Sequence, residues 1–136
     1  MEYLLEKPVI ANIGTEKYRV TIEWRNGIII GDEPEKIGGK DLGPDPYTLL
    51  LSSLASCTLS TLRMYIDRKG WDIPEISVQV NMLQSNENGL NTQFEREITF
   101  TKTITDDIKE RLLLIAKKCP VSKILENKIT INTEIK

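Results

Sequence analysis

Two cysteines are the residues of this chain whose type and surroundings suit redox chemistry. Cys57 stands in the segment P-D-P-Y-T-L-L-L-S-S-L-A-S-C-T, and Cys119 stands in K-K-C-P-V-S-K-I-L. Peroxide oxidises a thiolate to sulfenic acid, and a second thiol nearby can then close a disulfide. The bland alternative is that Cys57 fills the core and Cys119 caps a helix, because an isolated cysteine usually behaves as a small hydrophobe.

Histidine is absent from all 136 residues, which narrows the possible chemistry. Without an imidazole, neither Ser-His-Asp nor Cys-His catalysis is available to activate a nucleophile. Two cysteines outside a C-x-x-C arrangement cannot supply the usual set of zinc ligands. We therefore expect no metal and no cofactor, and any active thiol must be stabilised by a cation or by backbone amides.

The two cysteines differ in their local sequence. Cys57 shares a helix face with Leu54, and burial alone would raise the pKa of its thiol. Cys119 follows Lys117 and Lys118, and a helix that begins directly after it would also favour its thiolate. From local sequence alone, Cys119 is the more reactive thiol.

Composition limits the class of protein. Hydrophobic residues make up 40% of the chain and charged residues 28%, which predicts one globular domain over residues 1–136. A net charge of -2 offers no basic surface for nucleic acid. The N-terminal residues lack the pattern of a signal peptide, and the longest apolar run, Leu112 to Ala116, is too short to span a bilayer. We expect a cytoplasmic protein with no nucleic-acid or membrane partner.

The first third of the sequence predicts a three-stranded antiparallel sheet. Apolar and polar residues alternate over 18–25, a short apolar segment covers 8–13, and residues 28–30 return after a type I′ turn at Asn26-Gly27. A loop rich in Gly, Pro and Asp follows over 32–46. The α+β pattern begins with this sheet.

A long helix that carries Cys57 is predicted next. Asp45 is a suitable N-cap with Pro46 at the first helical position, and Gly70 is a suitable stop. The residues that recur at helical spacing on its expected inner face are Leu50, Leu54, Cys57, Thr61 and Met64 or Tyr65. Small residues around Cys57 predict the close approach of another backbone.

The remaining sequence predicts a second hairpin, two helices and a last strand. Alternating residues mark strands over 76–82 and 94–100, and a helix that begins near Thr105 ends at Lys117-Lys118. Pro120 can open a short helix with Cys119 as its N-cap. Alternating Ile and Thr residues over 129–135 predict a terminal strand.

Two motifs together resemble the OsmC/Ohr family of osmotically inducible and organic-hydroperoxide-resistance thiol peroxidases. G-G-K-D-L-G-P-D-P-Y-T-L-L over 38–50, leading to A-S-C at 55–57, is similar to the family's first-cysteine helix. C-P-V-S at 119–122, which places the second cysteine 119 − 57 = 62 residues later, is similar to its second-cysteine segment. The Gly-Gly approach is closest to the OsmC-like branch.

This resemblance implies both a fold and an activity. The fold would be OsmC-like, an α+β arrangement with an antiparallel sheet, a long central Cys-bearing helix and a second helix, in an intertwined homodimer. Cys57 would attack an organic hydroperoxide and Cys119 would resolve the sulfenic acid as a disulfide. A lipoyl or thioredoxin-like dithiol would reduce that disulfide.

The family stabilises its thiolate with an arginine that is held by a glutamate. Arg25 resembles that arginine, although its place beside Asn26-Gly27 also suits an exposed turn. Arg96 is a second candidate because it shares a strand face with Phe94 and Ile98, but an edge position with the guanidinium extended to solvent is its preferred interpretation. Tyr47 stands at the glutamate position and cannot form a salt bridge.

Three functions therefore remain open. The first is a thiol-dependent organic hydroperoxide reductase, the second a non-enzymatic redox sensor or small-ligand-binding dimer, and the third a purely structural dimer. An apolar cleft formed by Leu50, Leu54 and Trp24 would suit alkyl hydroperoxides, but the same residues are equally explained as core.

Overall fold

The computed structural model describes all residues, Met1–Lys136, and contains two antiparallel sheets and three α-helices. The elements in chain order are β1 Ile10–Ile13, β2 Val20–Trp24, β3 Gly27–Gly31, α1 Pro46–Lys69, β4 Ile76–Ser85, β5 Asn91–Phe100, α2 Asp106–Ala116 and α3 Pro120–Leu125. The chain divides into two compact units, Met1–Leu50 and Leu51–Lys136. The predicted α+β class is confirmed, whereas a single domain over residues 1–136 stays a prediction.

The first unit contains the predicted three-stranded sheet, in the order β1-β2-β3. Its tight turn differs from the expected one. Trp24 pairs with Gly27, so the two turn residues are Arg25 and Asn26, and neither Asn26 nor Gly27 has a positive φ. A Cβ at position 27 would lie 3.0 Å from the Trp24 Nε1 atom. The glycine therefore makes room for an indole ring in the strand and does not form the turn.

The loop between β3 and α1 is held by one buried carboxylate. Asp32 is 3% exposed and accepts three backbone N–H groups, from Tyr18, Glu33 and Leu42. Gly43 passes so close to Ile30 that a Cβ would overlap its carbonyl group. The glycine-rich motif before the helix is thus required by backbone packing within this unit.

Helix α1 begins and ends as the sequence predicts. The Asp45 Oδ1 atom accepts a hydrogen bond from the Thr48 N–H group at 2.7 Å, which satisfies one of the free donors of the first turn. Gly70 follows the last helical residue with a φ of 70°, a conformation that suits a residue without a Cβ. These two signals confine the helix to 24 residues.

The buried face of α1 differs from the expected one. The residues of this helix that are buried are Leu54, Thr58, Leu62 and Ile66. Leu50 is 40% exposed and Met64 65% exposed, and Cys57 lies at the margin of the buried stripe. Leu54, which is buried, and Tyr65, which packs against the core, confirm part of the predicted face. The rest was predicted wrongly because α1 is apolar or small on nearly every side, so that periodicity does not select one face.

The same composition gives α1 the length and apolarity of a membrane span, a test that core helices of globular proteins also pass. Here the helix contributes Leu62 and Ile66 to the core of the second unit. The other members of that core are Ile73, Ile104, Leu112 and Ala116, with Ile98 and Phe100 of β5 packed against them.

The second hairpin and the two later helices follow the prediction. β4 and β5 pair along their whole length, from Ile76 with Phe100 to Ser85 with Asn91. The Thr105 side chain caps α2, and Cys119 is the N-cap residue of α3. Helix α2 ends at Ala116, just before the predicted basic end.

The predicted terminal strand is wrong. Residues 127–136 form no helix or strand, and Ile129, Ile131 and Ile135 are 54%, 83% and 96% exposed. A strand exists only where a neighbouring strand accepts and donates its backbone hydrogen bonds. No strand within the chain pairs with this segment, so its alternating sequence remains without a ladder.

Candidate active site

The two cysteines lie on different elements of the second unit and meet side chain to side chain. Cys57 is near the middle of α1 and is half-buried, whereas Cys119 precedes α3 and is 0% exposed. Both thiols are free and within hydrogen-bonding reach of each other. Each thiol shifts the pKa of the other, as neighbouring thiols do.

The pKa values of the two thiols diverge because they share one site. Burial raises the pKa of both, but the hydrogen bond that Cys57 donates to Cys119, with donors from Ser122 and Val121, lowers the pKa of Cys119 to about 7. Burial and the neighbouring Cys119 raise the pKa of Cys57. Near pH 7 about half of the pairs therefore carry one negative charge, and most of that charge lies on Cys119.

The start of α3 supplies part of the stabilisation. The Cys119 sulfur forms no capping hydrogen bond of ordinary geometry, but the backbone N–H groups of Val121 and Ser122 lie close enough to favour its anion. Pro120 occupies the first helical position, where its fixed φ suits the start of a helix. The Val121 amide also favours the anion of Cys57.

One arginine connects the helices that carry the two cysteines. The Arg96 Nη1 atom donates to the Thr58 hydroxyl at 2.8 Å and to the Ser122 hydroxyl at 2.9 Å. Both hydroxyl residues are buried, at 0% and 4% exposure, and neither was singled out from the sequence. The preferred interpretation of Arg96 as a side chain extended to solvent is therefore wrong, since its guanidinium reaches into the unit to buried hydroxyls.

Arg25, the first-choice activator, lies in the first unit. Its guanidinium sits 5.6 Å from the centre of the Trp24 ring, in the exposed turn between β2 and β3. Tyr47 lies in the first turn of α1 and is 60% exposed. The catalytic role of Arg25 stays a prediction.

A cavity of about 460 Å³ opens beside Arg96 and Ser122. Its apolar wall includes Leu54, Phe94 and Leu113. Of the three residues expected to form an apolar cleft, Leu54 lines this cavity, while Leu50 and Trp24 are largely exposed residues of the first unit. No group of three or more Cys, Asp or Glu side chains is placed to hold a metal ion.

Both cysteines, Arg96 and the glycine-rich approach to α1 fall within residues 38–134, the part of the chain that matches the family model of the OsmC-like protein. The chain belongs to the OsmC-like protein family. No functionally curated protein sequence matches it.

Solved structures share the OsmC-like fold. A Psychrobacter arcticus 273-4 protein named for osmotic stress induction and a detoxification response has a TM-score of 0.76 at 23% identity, with 91% of each chain covered. An organic hydroperoxide resistance protein from Elizabethkingia anophelis has a TM-score of 0.69 at 21% identity, covering 91% of this chain and 90% of that one. The organic hydroperoxide resistance protein OsmC from Legionella pneumophila has a TM-score of 0.65 at 19% identity, covering 88% and 90%. At such identities the likeness establishes the fold of this OsmC-like chain.

Thr58 carried a weak signal in the sequence of this OsmC-like chain. Thr58 interrupts a buried series at every fourth position of α1, from Leu54 to Leu62. A hydroxyl in such a series needs a partner, and Thr58 both donates to the Leu54 carbonyl and accepts from Arg96. The sequence alone did not predict this role, because it did not show which face of α1 is buried.

Proposed function

We propose that this protein is a thiol-dependent peroxidase that reduces organic hydroperoxides. One observation carries the proposal: two free cysteines from separate helices meet at a site where one of them has a pKa of about 7. Thiolates react with peroxides and thiols do not at useful rates, so a charged pair at neutral pH is the required reagent. Structural neighbours named as organic hydroperoxide resistance proteins support the same substrate class.

The reaction begins at Cys57, the more accessible of the two sulfurs. Cys119, as the thiolate, accepts the Cys57 proton, and the Cys57 sulfur then attacks the terminal oxygen of the hydroperoxide. The O–O bond breaks, the alkoxide takes the proton now held by Cys119 and leaves as the alcohol, and Cys57 becomes a sulfenic acid while Cys119 returns to the thiolate. The substrate is thereby reduced by two electrons.

The second half of the reaction restores the thiols. The Cys119 thiolate attacks the Cys57 sulfur, the S–O bond of the sulfenic acid breaks, its hydroxide leaves as water with a proton from solvent, and a Cys57–Cys119 disulfide forms. A dithiol of the lipoyl or thioredoxin-like class reduces this disulfide by exchange and becomes oxidised itself. The contact between the two thiols favours the disulfide over further oxidation of Cys57.

The apolar wall of the cavity beside Arg96 supports an organic hydroperoxide over hydrogen peroxide. Leu54, Phe94 and Leu113 offer an alkyl or aryl group a surface that water leaves on binding. Arg96 and Ser122 also line this cavity. The substrate's apolar part would lie in the cavity with its peroxide group toward the cysteines.

The proposed enzyme is a homodimer that works in the cytoplasm. Every buried apolar side chain lies between residues 54 and 119, so the sheet of the first unit contributes none of them. Ile10, Ile13 and Ile28 of that sheet are each more than half exposed. Because a small sheet needs apolar contacts to be stable, we infer that a second copy of the chain covers these residues. Light scattering on the purified protein should give twice the chain mass of 15.5 kDa.

A peroxidase assay with cumene hydroperoxide and a dithiol tests the function. Wild type should consume peroxide catalytically, and Cys57→Ser should not. Cys119→Ser should retain one oxidation event and accumulate sulfenic or over-oxidised Cys57, which mass spectrometry identifies. Equal, slow consumption by wild type and Cys57→Ser would contradict the proposal.

A redox sensor is the second candidate, and the raised pKa of Cys57 favours it. A less ionised attacking thiol reacts more slowly, which suits a protein that reports peroxide and does not remove it. The sensor would form the disulfide after a single exposure to peroxide and would show no sustained turnover with lipoyl or thioredoxin-like dithiols. The same assay separates the two functions.

A further inference from the structure

We propose that Arg96 is a positioning residue that holds the Ser122 hydroxyl against the Cys119 sulfur and so keeps a negative charge on the thiol pair. For its role in catalysis this inference rests on the proposed function. Its structural basis is independent of that function, because it concerns the ionisation of a thiol in the resting protein.

The direction of the hydrogen bonds is fixed by the chemistry of the groups. A guanidinium has donors and no acceptor, so both hydroxyls must accept from Arg96 with their oxygen atoms. The Thr58 hydroxyl hydrogen is committed to the Leu54 carbonyl at 2.7 Å. The Ser122 hydroxyl hydrogen remains available, and the Ser122 side chain, three residues after Cys119, lowers the pKa of that thiol.

The consequence is a chain of donors from Arg96 through Ser122 to Cys119. An oxygen that accepts from a cation becomes a stronger donor through its own hydrogen, so the positive charge acts on the sulfur without touching it. Burial strengthens the effect, because Ser122 and Cys119 are 4% and 0% exposed and water does not screen the interaction. Thr58 accepts a second hydrogen bond from Arg96 and so anchors its guanidinium to α1, the helix of Cys57.

The other charged side chains near the thiols face solvent. Residues 76–85 of β4 carry no charge, and Arg63 of α1 donates to the backbone carbonyls of Ile73 and Pro74. Exposed charges on the surrounding elements include Glu95 and Glu97 of β5, Lys117 and Lys118 after α2, and Lys123 and Glu126 at α3. Arg96 is thus the cation that contacts the buried polar groups of the site.

Titration of the Cys119 thiolate by its absorbance at 240 nm tests the inference without using peroxide. A Cys57→Ser background leaves one thiol, and a Cys57→Ser/Cys119→Ser protein supplies the tyrosine baseline. In this background, Arg96→Met and Ser122→Ala should each raise the titration midpoint by a unit or more. The thiolate-to-thiol ratio at pH 7 would then fall at least about tenfold.

Two variants separate the charge from general structural damage. Arg96→Lys keeps the charge and enough donors for both hydroxyls, so its midpoint should stay close to that of the parent. Arg63→Met removes a comparable arginine that bonds to backbone carbonyls, and its midpoint should not move. Circular dichroism verifies that each variant is folded, and Ser122→Ala carries the test if Arg96→Met is not.

In the presence of Cys57, the peroxidase rate supplies a second readout. Arg96→Met should lower the rate about tenfold or more at pH 7, and the deficit should shrink toward pH 9, where the thiolate forms without help. A merely structural role predicts a deficit that is independent of pH.

An unchanged midpoint in Arg96→Met, or an equal shift in Arg63→Met, would overturn the inference even if wild type is an active peroxidase. If wild type shows no turnover but the midpoints shift as stated, the inference stands and the proposed function is wrong.

Discussion

Oxidation of the reduced protein by an organic hydroperoxide should accelerate about tenfold between pH 6 and pH 8 and then level off. The prediction follows from the single negative charge that the thiol pair acquires near neutral pH. If Cys57 attacks while Cys119 holds most of the charge, the reactive form is a fixed fraction of the same singly charged pair. The pH dependence therefore belongs to the pair, whichever sulfur attacks.

The magnitude follows from the pKa of about 7 for Cys119. A group with this pKa is about 9% ionised at pH 6, about 50% at pH 7 and about 91% at pH 8. An ordinary thiol with a pKa of about 8.5 would instead gain about 75-fold between pH 6 and pH 8 and about threefold more by pH 9. The two cases differ in the size of the rise and in whether a plateau follows.

A single-turnover assay measures this without interference from the reductant. Reduced protein is mixed with cumene hydroperoxide, which stays neutral throughout the range, and remaining thiol is counted after an acid quench. Because no external dithiol is present, its own ionisation does not enter the profile. Cys57→Ser is the control, since it lacks the attacking sulfur and should lose thiol slowly at every pH.

A profile that keeps rising tenfold per pH unit up to pH 8.5 would refute the reasoning. Such a result would mean that the reactive pair has ordinary thiol pKa values and that the donors from Ser122 and Val121 do not offset burial. A plateau that persists unchanged in Cys119→Ser would also refute it, because the Cys57 thiolate would then form without any contribution from Cys119.

Three further measurements test the fold and the site. Because folding lowers the pKa of Cys119, the stabilisation from its thiolate is present above the unfolded-state pKa and is lost as pH falls through about 7. The free energy of unfolding of the reduced protein should therefore exceed that of Cys119→Ser by an amount that grows by about 2 kcal/mol between pH 6 and pH 8.5. Urea titrations at each pH would measure this difference. Leu62→Ala should cost about 3 kcal/mol in the same assay, because Leu62 is 0% exposed, while Met64→Ala on the exposed side of α1 should cost well under 1 kcal/mol. Asp32→Ala should expose the loop before α1 to trypsin at Lys36 and Lys40, with unaltered resistance as the opposing result.

Local signals in the sequence were sufficient for most elements of the fold. Alternation predicted β2, β4 and β5, and cap residues such as Asp45, Gly70 and Thr105 predicted helix ends, because each depends on neighbours in the chain. The terminal strand over 129–135 failed for the opposite reason. A strand needs a partner, and alternation says nothing about whether one is present.

The sequence predicted the two thiols of the site but not the cation near them. The motifs around Cys57 and Cys119 marked both thiols, and the structure brings them together. The cation could not be placed, because Arg96 acts through Thr58 and Ser122 on two other elements. Parity put Arg96 on the apolar face of β5, but only the packing of α1 and α3 shows that hydroxyls meet it there.

A cysteine peroxidase must satisfy two requirements that oppose each other. The attacking sulfur has to be reachable, whereas a thiolate is best stabilised in a buried place where water does not compete with its donors. This chain divides the requirements, because Cys57 is the more accessible sulfur and Cys119 holds the charge among buried donors. In the proposed reaction Cys57 becomes a sulfenic acid, and Cys119, which would resolve it, has a pKa of about 7, near the ambient pH at which a thiol attacks fastest. The same arrangement that slows the first step therefore speeds the second, so the sulfenic acid should be short-lived unless Cys119 is replaced.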